Sequence, residues 1–184
     1  SESCGGFTDI DGHWAEEFIC NLYERGVVEG RTDSKFYPDY DITRAEFLKM
    51  TLLGLDYEPY AVSGVYYDDV DSGDWYYEYV TYATAQGIVD GYDDGDFKPD
   101  QYITRAEAIV LLLRAADQED DSFDESDIDY SDVDEDDWFA WAVVVADETD
   151  IMNGYSSTTF GPGENLTRGE AAKIVDLSYQ EFIQ

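Results

Sequence analysis

Basic residues are scarce in this chain: 10 lysines and arginines, only 4 of them lysine, stand against 44 acidic residues, for a formal net charge of −34 over 184 residues. A surface of that sign repels phosphate, which excludes DNA, RNA and anionic lipid as direct partners and makes cations the natural ones. It also suits concentrated salt, where the Debye length falls to about 3 Å at 1 M and self-repulsion is screened. Histidine occurs once, at His13, beside a helix start where it reads as surface. No nucleophile motif accompanies it, and the carboxylates are too numerous to single out an acid and a base, so the composition does not point to an enzyme.

No run of about 18 apolar residues exists, so nothing in the sequence inserts into a membrane as a helix. The chain opens at Ser1 and Glu2 without a basic and apolar leader, and the expectation is that any secretory signal has been removed or was never present. Cysteine is limited to Cys4 and Cys20, whose spacing matches no CxxC motif; the two close a 17-residue loop as a disulfide or remain separate thiols. Against these absences stand 43% hydrophobic and 16% aromatic residues, enough to build a core.

Repetition is the strongest feature present. Trp14, Trp75 and Trp138 are 61 and 63 residues apart, and so are Arg44, Arg105 and Arg168 in the pentapeptides ITRAE, ITRAE and LTRGE. Twelve residues after each tryptophan comes Gly26, Gly87 or Asp150, then Gly30, Gly91 or Gly154, then Phe36, Phe97 or Phe160, then Pro38, Pro99 or Pro162. Ahead of each tryptophan sits an aromatic and acidic turn, FTDID, YDDVD or YSDVD. Each unit therefore reads as acidic turn, helix, glycine loop, proline turn, helix.

Apolar residues at Trp14, Phe18 and Leu22, and at Trp138, Trp141, Ala142 and Val145, have helical spacing for the first helix. Phe47, Leu48, Thr51, Leu52 and Leu55, with Ala108, Ile109, Leu112 and Leu113, give the second an amphipathic pattern. Gly26, Gly87 and Asp150 fall where a left-handed residue ends a helix. The expected fold is all-α: three tandem helix-loop-helix repeats at residues 1–55, 67–116 and 130–184, joined by connectors at 56–66 and 117–129. Because one helix pair cannot bury its apolar faces alone, the three units share one core. The segment from Asp117 to Asp137 holds 13 acidic residues and no basic one, and reads as a solvated, mobile stretch unless cations bind it.

In each pentapeptide the threonine (Thr43, Thr104, Thr167) and the glutamate three residues on (Glu46, Glu107, Glu170) form a capping box, and losing such a threonine costs about 1 kcal/mol. The arginine needs another cause, because the helix dipole disfavours a cation at the first helical position by roughly 0.3–1 kcal/mol. Two causes stay open: an ion pair with a nearby carboxylate, which physics alone favours, or a bidentate grip on an anionic ligand helped by the free amides of the same helix start.

At these residues the sequence resembles the S-layer homology (SLH) domains, over nearly the whole chain. The resemblance rests on the aromatic-x-Asp turn, the tryptophan, the loop GYDDGDFKPD of Gly91 to Asp100, and ITRAE. It implies a pseudo-threefold bundle with grooves between repeats, and an extracellular, cell-surface module that binds pyruvylated secondary cell-wall polysaccharide, or a peptidoglycan-linked glycan, without covalent attachment. By that likeness Arg44, Arg105 and Arg168 contact the anionic glycan. Asp9, Asp69 and Asp132 and Gly30, Gly91 and Gly154 line the grooves. Trp14, Trp75 and Trp138 either stack on a sugar face or, the favoured reading, anchor the first helix in the core. An extracellular setting also favours the Cys4–Cys20 disulfide.

Unit three departs from the pattern at Gly169, Asp150 and Gly161, so its groove is expected to be the degenerate one. No cofactor is required. Calcium is the cation to consider, with Asp69, Asp71 and Asp74, Asp132, Asp134 and Asp137, and Asp93, Asp94 and Asp96 as the densest carboxylate clusters, though none has EF-hand spacing. The sequon at Asn165 to Thr167 reads as coincidence, since its threonine is the helix cap. The alternative to glycan anchoring is an extracellular subunit that assembles with copies of itself into a layer or filament, for which 16 tyrosines would supply interfaces. The end of the chain soon after the third repeat fits either a fragment of a larger surface protein or a complete small one.

Overall fold

A computed structural model describes residues 4–119 and 122–184. Six α-helices lie within them: α1 (Glu16–Glu24), α2 (Arg44–Gly54), α3 (Tyr77–Ala85), α4 (Arg105–Ala115), α5 (Ala140–Glu148) and α6 (Arg168–Phe182). Two short 3-10 turns, Cys4–Gly6 and Glu125–Asp127, add to them, and no strand occurs among the described residues. None of these helices is long and apolar enough to cross a membrane. The all-α expectation of repeated helix pairs holds.

The helices that pack together come from different repeats. α3 lies against α2, α5 against α4 and α1 against α6, while α2 also touches α4 and α6 near the centre. Every repeat thus supplies its first helix to the preceding repeat's second helix, and the third repeat closes the circle with the first. This is how units too small for a core of their own share one, with Phe36, Phe47, Phe97 and Phe160 among the side chains removed from solvent.

At the centre the chain makes a three-membered ring of backbone hydrogen bonds. The Ile42 amide donates to the Leu166 carbonyl, the Leu166 amide to Ile103, and the Ile103 amide to Ile42. All three side chains are fully buried. Isolated bridges between Asp41 and Thr167, Thr43 and Tyr102, and Thr104 and Asn165 extend the ring outward.

The expected apolar stripe of the first helix holds in part: Leu22, Trp141 and Ala142 are buried, but beside Trp14 and Trp138 it is the following residue that turns inward. The buried positions are Ala15 at the N-cap of α1 and Ile19 and Leu22 within it, with Tyr76, Val80 and Ala83 and then Phe139, Val143 and Ala146 at the matching places. The tryptophan sits just before each stripe and is more than half exposed in every repeat, at 52–57%. The reading of Trp14, Trp75 and Trp138 as core anchors is therefore corrected: their periodicity belonged to the neighbouring residue. The second helices are also less one-sided than their pattern suggested, because α4 buries Val110 and Leu111 as well as the expected face.

Local signals set the helix ends. All three capping boxes form, with the threonine hydroxyl accepting the glutamate amide and the glutamate carboxylate accepting the threonine amide. At the other end Gly26, Gly87 and Asp150 are left-handed, with φ of 73°, 74° and 55°. The amides of Val27, Ile88 and Ile151 reach back to the carbonyls of Leu22, Ala83 and Ala146, a six-to-one closure that Asp150 achieves as well as glycine does.

Gly30, Gly91 and Gly154 have a different reason. A Cβ there would overlap the ring of Phe7, Tyr67 or Tyr130, so the aromatic of each acidic turn and the loop glycine are a matched pair. Cys4 and Cys20 form a disulfide that ties the first turn to α1. In the acidic connector Asp120 and Asp121 lie outside the described residues, whereas Phe123 and Ile128 pack against the core.

Replacing Gly91 with alanine should cost about 1–3 kcal/mol, because the methyl group must displace the Tyr67 ring. Reducing the disulfide should remove about 3 kcal/mol, the loop-entropy figure for a loop of this size. Urea unfolding with and without reductant measures both.

Candidate functional site

The sequence left the cause of the thrice-repeated arginine open between a carboxylate partner and an anionic ligand. A carboxylate partner is present in two of the three, Glu107 at 3.4 Å from Arg44 and Glu46 at 3.9 Å from Arg168, and a backbone carbonyl is present in all three. Arg44 Nε donates to the Phe97 carbonyl at 3.0 Å, Arg105 Nε to Phe160 at 3.1 Å, and Arg168 Nε to Phe36 at 3.0 Å. Each guanidinium also lies over the ring of the same phenylalanine, 4.4–4.9 Å from its centroid. The arginine of one repeat therefore clamps the loop of the next, in the circular sense opposite to the amide donation of the ring at the centre. All three are buried, at 4–7% exposure. Burial lowers the Arg168 pKa to about 10, with Glu46 opposing the shift, so the group stays charged at neutral pH.

The helix starts are not free for a ligand either. The amides of Arg44 and Ala45 donate to the carbonyls of Gln101 and Pro99, those of Arg105 and Ala106 to Glu164 and Pro162, and those of Arg168 and Gly169 to Tyr40 and Pro38. The third amide goes to the threonine cap. The expectation that these amides help hold an anion is corrected: they hold the neighbouring repeat.

Asp9, Asp69 and Asp132 complete the loop from behind. Their two carboxylate oxygens accept the amides of Phe36 and Tyr37, of Phe97 and Lys98, and of Phe160 and Gly161. Tyr37, Lys98 and Gly161 are left-handed, with φ of 61°, 59° and 75°, and the aspartate bonds fix that turn. Burial pushes the Asp132 carboxyl up, but the amides of Phe160 and Gly161 outweigh it and hold the group below the usual range. These aspartates support the groove wall and do not line the groove.

What remains in front of each clamp is a groove built from all three repeats. Groove 1, about 240 Å³, runs between the loop Val27 to Arg31 and the start of α2, with Arg168 and Trp75 at its sides. Groove 2, about 640 Å³, has the loop Ile88 to Asp93, α4, Arg44 and Trp138. Groove 3, about 220 Å³, has the loop Ile151 to Tyr155, α6, Arg105 and Trp14. Gly30, Gly91 and Gly154 each line one of the grooves. Each exposed tryptophan offers a flat face beside a buried cation, a pairing suited to a ring with an anionic substituent.

The three departures in unit three leave its backbone intact. Asp150 and Gly161 keep the left-handed geometry of their counterparts, and Gly169 sits where a Cβ would lie 3.1 Å from the Pro38 carbonyl oxygen. Groove 3 is formed like the others, against the expectation that it would be the degenerate one.

Sequence reasoning missed Lys49 and Lys173, which line grooves 1 and 3 five residues after the clamp's helix start, and Val110, which takes that place in groove 2. The signal was present as a fixed offset from the pentapeptide arginine. It also missed the residue after the loop glycine: Arg31, Tyr92 and Tyr155.

The carboxylate clusters serve local geometry. Asp74 accepts the Asp71 amide, Asp137 the Asp134 amide, and Asp94 both pairs with Lys98 at 2.8 Å and accepts the Asp96 amide. Asp93 lines groove 2. Among the described residues no group of three or more histidine, cysteine, aspartate or glutamate side chains is placed to hold one metal ion.

The sequence model of the S-layer homology domain family matches residues 6–48, 66–109 and 129–172, one match for each repeat. The chain belongs to the S-layer homology domain family. Similar proteins include an amylopullulanase of Thermoanaerobacterium thermosulfurigenes and the exoglucanase XynX of Acetivibrio thermocellus. Each is 36% identical over 173 residues, which is 92% of this chain but only 9% and 16% of theirs. The enzymatic names thus belong to proteins of which this chain matches less than a fifth. A cellulosome-anchoring protein of Acetivibrio thermocellus is 34% identical over 59% of this SLH chain and 25% of its own length.

The clamp and the groove wall predict separable losses. Arg105→Ala should lower stability by about 1–3 kcal/mol for each of the two carbonyls, of Phe160 and Asn153, left without a donor. Trp14→Ala should change it by no more than about 0.5 kcal/mol. Parallel denaturant melts of the two variants check the contrast.

Proposed function

We propose that this SLH chain is a non-catalytic module that holds the protein bearing it at a bacterial cell envelope, by binding an anionic, pyruvate-bearing wall polysaccharide in its inter-repeat grooves. The observation that carries the reading is local: on a chain of net charge −34, buried arginines and exposed tryptophans are brought together three times at the mouth of a groove. Each indole keeps more than half of its surface exposed beside a cation, and a sugar ring bearing a carboxylate satisfies both groups at once. The names of relatives agree with an anchoring role: one is a cellulosome-anchoring protein, another a surface-layer protein of Lysinibacillus sphaericus, a third the middle cell wall protein of Brevibacillus brevis.

The arginine enters this reading indirectly. Its Nε is committed to the next repeat, so it contributes positive potential and the remaining guanidinium face while the indole and the loop supply the contact surface. The distant acidic surface opposes an approaching polyanion, whereas the buried cation acts only at short range, where salt screens it less.

Two outcomes follow. The purified protein should co-sediment with isolated cell walls, and lose this when the pyruvate ketals are stripped by mild acid or when Trp14, Trp75 and Trp138 are all changed to alanine; binding that survives both treatments refutes the reading. Association should also become faster as salt rises from low ionic strength, the reverse of ordinary cation and polyanion pairing, and stopped-flow tryptophan fluorescence against wall fragments measures it.

A further inference from the structure

The three grooves share one frame but not one electrostatic lining. Groove 1 carries three cations, Arg31, Lys49 and Arg168, against two carboxylates, Glu29 and Glu46. Groove 3 carries Arg105 and Lys173 against Glu170 alone. Groove 2 reverses the balance, with Arg44 and Arg114 against Asp90, Asp93 and Glu107, because Val110 stands where the other two have lysine.

Pairing within the grooves sharpens the difference. In groove 2 every cation is already engaged by a carboxylate: Arg44 by Glu107 at 3.4 Å, Arg114 by Asp90 and Glu119 at 3.5 Å each. Tyr92 caps the set, donating its hydroxyl to Glu107 at 2.5 Å, and burial together with that bond pushes its pKa up to about 12. In groove 3, by contrast, Arg105 donates to the carbonyls of Phe160 and Asn153 and has no carboxylate partner among the described residues. In groove 1 Arg168 is 3.9 Å from Glu46, which Arg31 holds more closely at 3.2 Å, and Lys49 lies 5.9 Å from the centroids of Trp75 and Tyr79 with no carboxylate partner among the described residues.

We infer that only grooves 1 and 3 accept an anionic sugar, and that Lys49 and Lys173 are the residues that specify it. Groove 2 is neutralised from within and excludes an added carboxylate, since admitting one would require breaking the Arg44–Glu107 pair or placing a fourth carboxylate beside Asp90, Asp93 and Glu107. The lysine is suited to the task because its ammonium, on a flexible stem, reaches a ligand carboxylate without giving up a structural bond, whereas the arginine is committed to the clamp. The inference rests on the proposed envelope-glycan reading and adds which faces of the module carry it.

The test uses the whole chain and a defined probe, a synthetic hexoside with a 4,6-linked pyruvate ketal, beside its uncharged methyl ester. The four indole N–H resonances in a nitrogen-15 correlation spectrum, assigned by single Trp→Phe variants, report each groove separately. Titration with the free acid should shift Trp75 and Trp14 saturably, with a stoichiometry of two, and leave Trp138 in place; the ester should shift none comparably. Lys49→Ala should weaken the Trp75 response, and Lys173→Ala the Trp14 response, by about tenfold or more, the loss of one charge-assisted hydrogen bond.

A Trp138 shift with a midpoint like the other two, or lysine variants that bind as well as the parent, overturns the inference while leaving envelope binding intact. Wall binding that persists with no indole shift also overturns it, placing the sites elsewhere. Loss of both wall binding and all indole shifts would sink the envelope reading itself.

Discussion

The hydrogen bond from each arginine Nε to a phenylalanine carbonyl in the next repeat is the constraint on which the rest of the molecule depends. It is made three times in circular order, from Arg44 to Phe97, Arg105 to Phe160 and Arg168 to Phe36. An apolar residue at this position would leave a buried carbonyl without its side-chain donor. The cost of placing a cation at the positive end of a helix is thereby offset, since the guanidinium gains a carbonyl, an aromatic face and, in two of the three cases, a glutamate within 4 Å.

Because the arginine is used up in holding the loop, function falls to what the loop and clamp leave exposed. Trp14, Trp75 and Trp138 lie over grooves formed by two other repeats, so no groove exists until all three repeats have docked. Anchoring and folding are in this sense the same event: a chain that opens one interface loses a clamp and a groove together. The grooves differ at residues outside the clamp, with Lys49 and Lys173 in two of them and Val110 in the third.

Much of this was legible in the sequence. The spacing of tryptophan, glycine, phenylalanine, proline and arginine repeated in register, and the capping boxes and left-handed helix ends formed where the local chemistry placed them. Other features could not be read from one strand of text. Trp14 and Ala15 differ by one position in a helical pattern, and only packing decides which turns inward. Whether Asp9 faces a ligand or the amides of Phe36 and Tyr37 depends on the fold of a loop 27 residues away. The partner of each arginine was invisible because it is a backbone carbonyl, which every residue carries, on another repeat. Groove charge was hidden for the same reason, since each lining is assembled from separate segments of all three repeats.

The most direct test of circular interlock is native-state hydrogen exchange at the amides of Ile42, Ile103 and Leu166. These three amides form the closed ring at the centre, one from each repeat. If the clamps make the repeats a single cooperative unit, all three should exchange only through global unfolding, with one free energy equal to that from denaturant melts. Three distinct free energies, each well below the global value, would mean that the repeats open independently and would contradict the account.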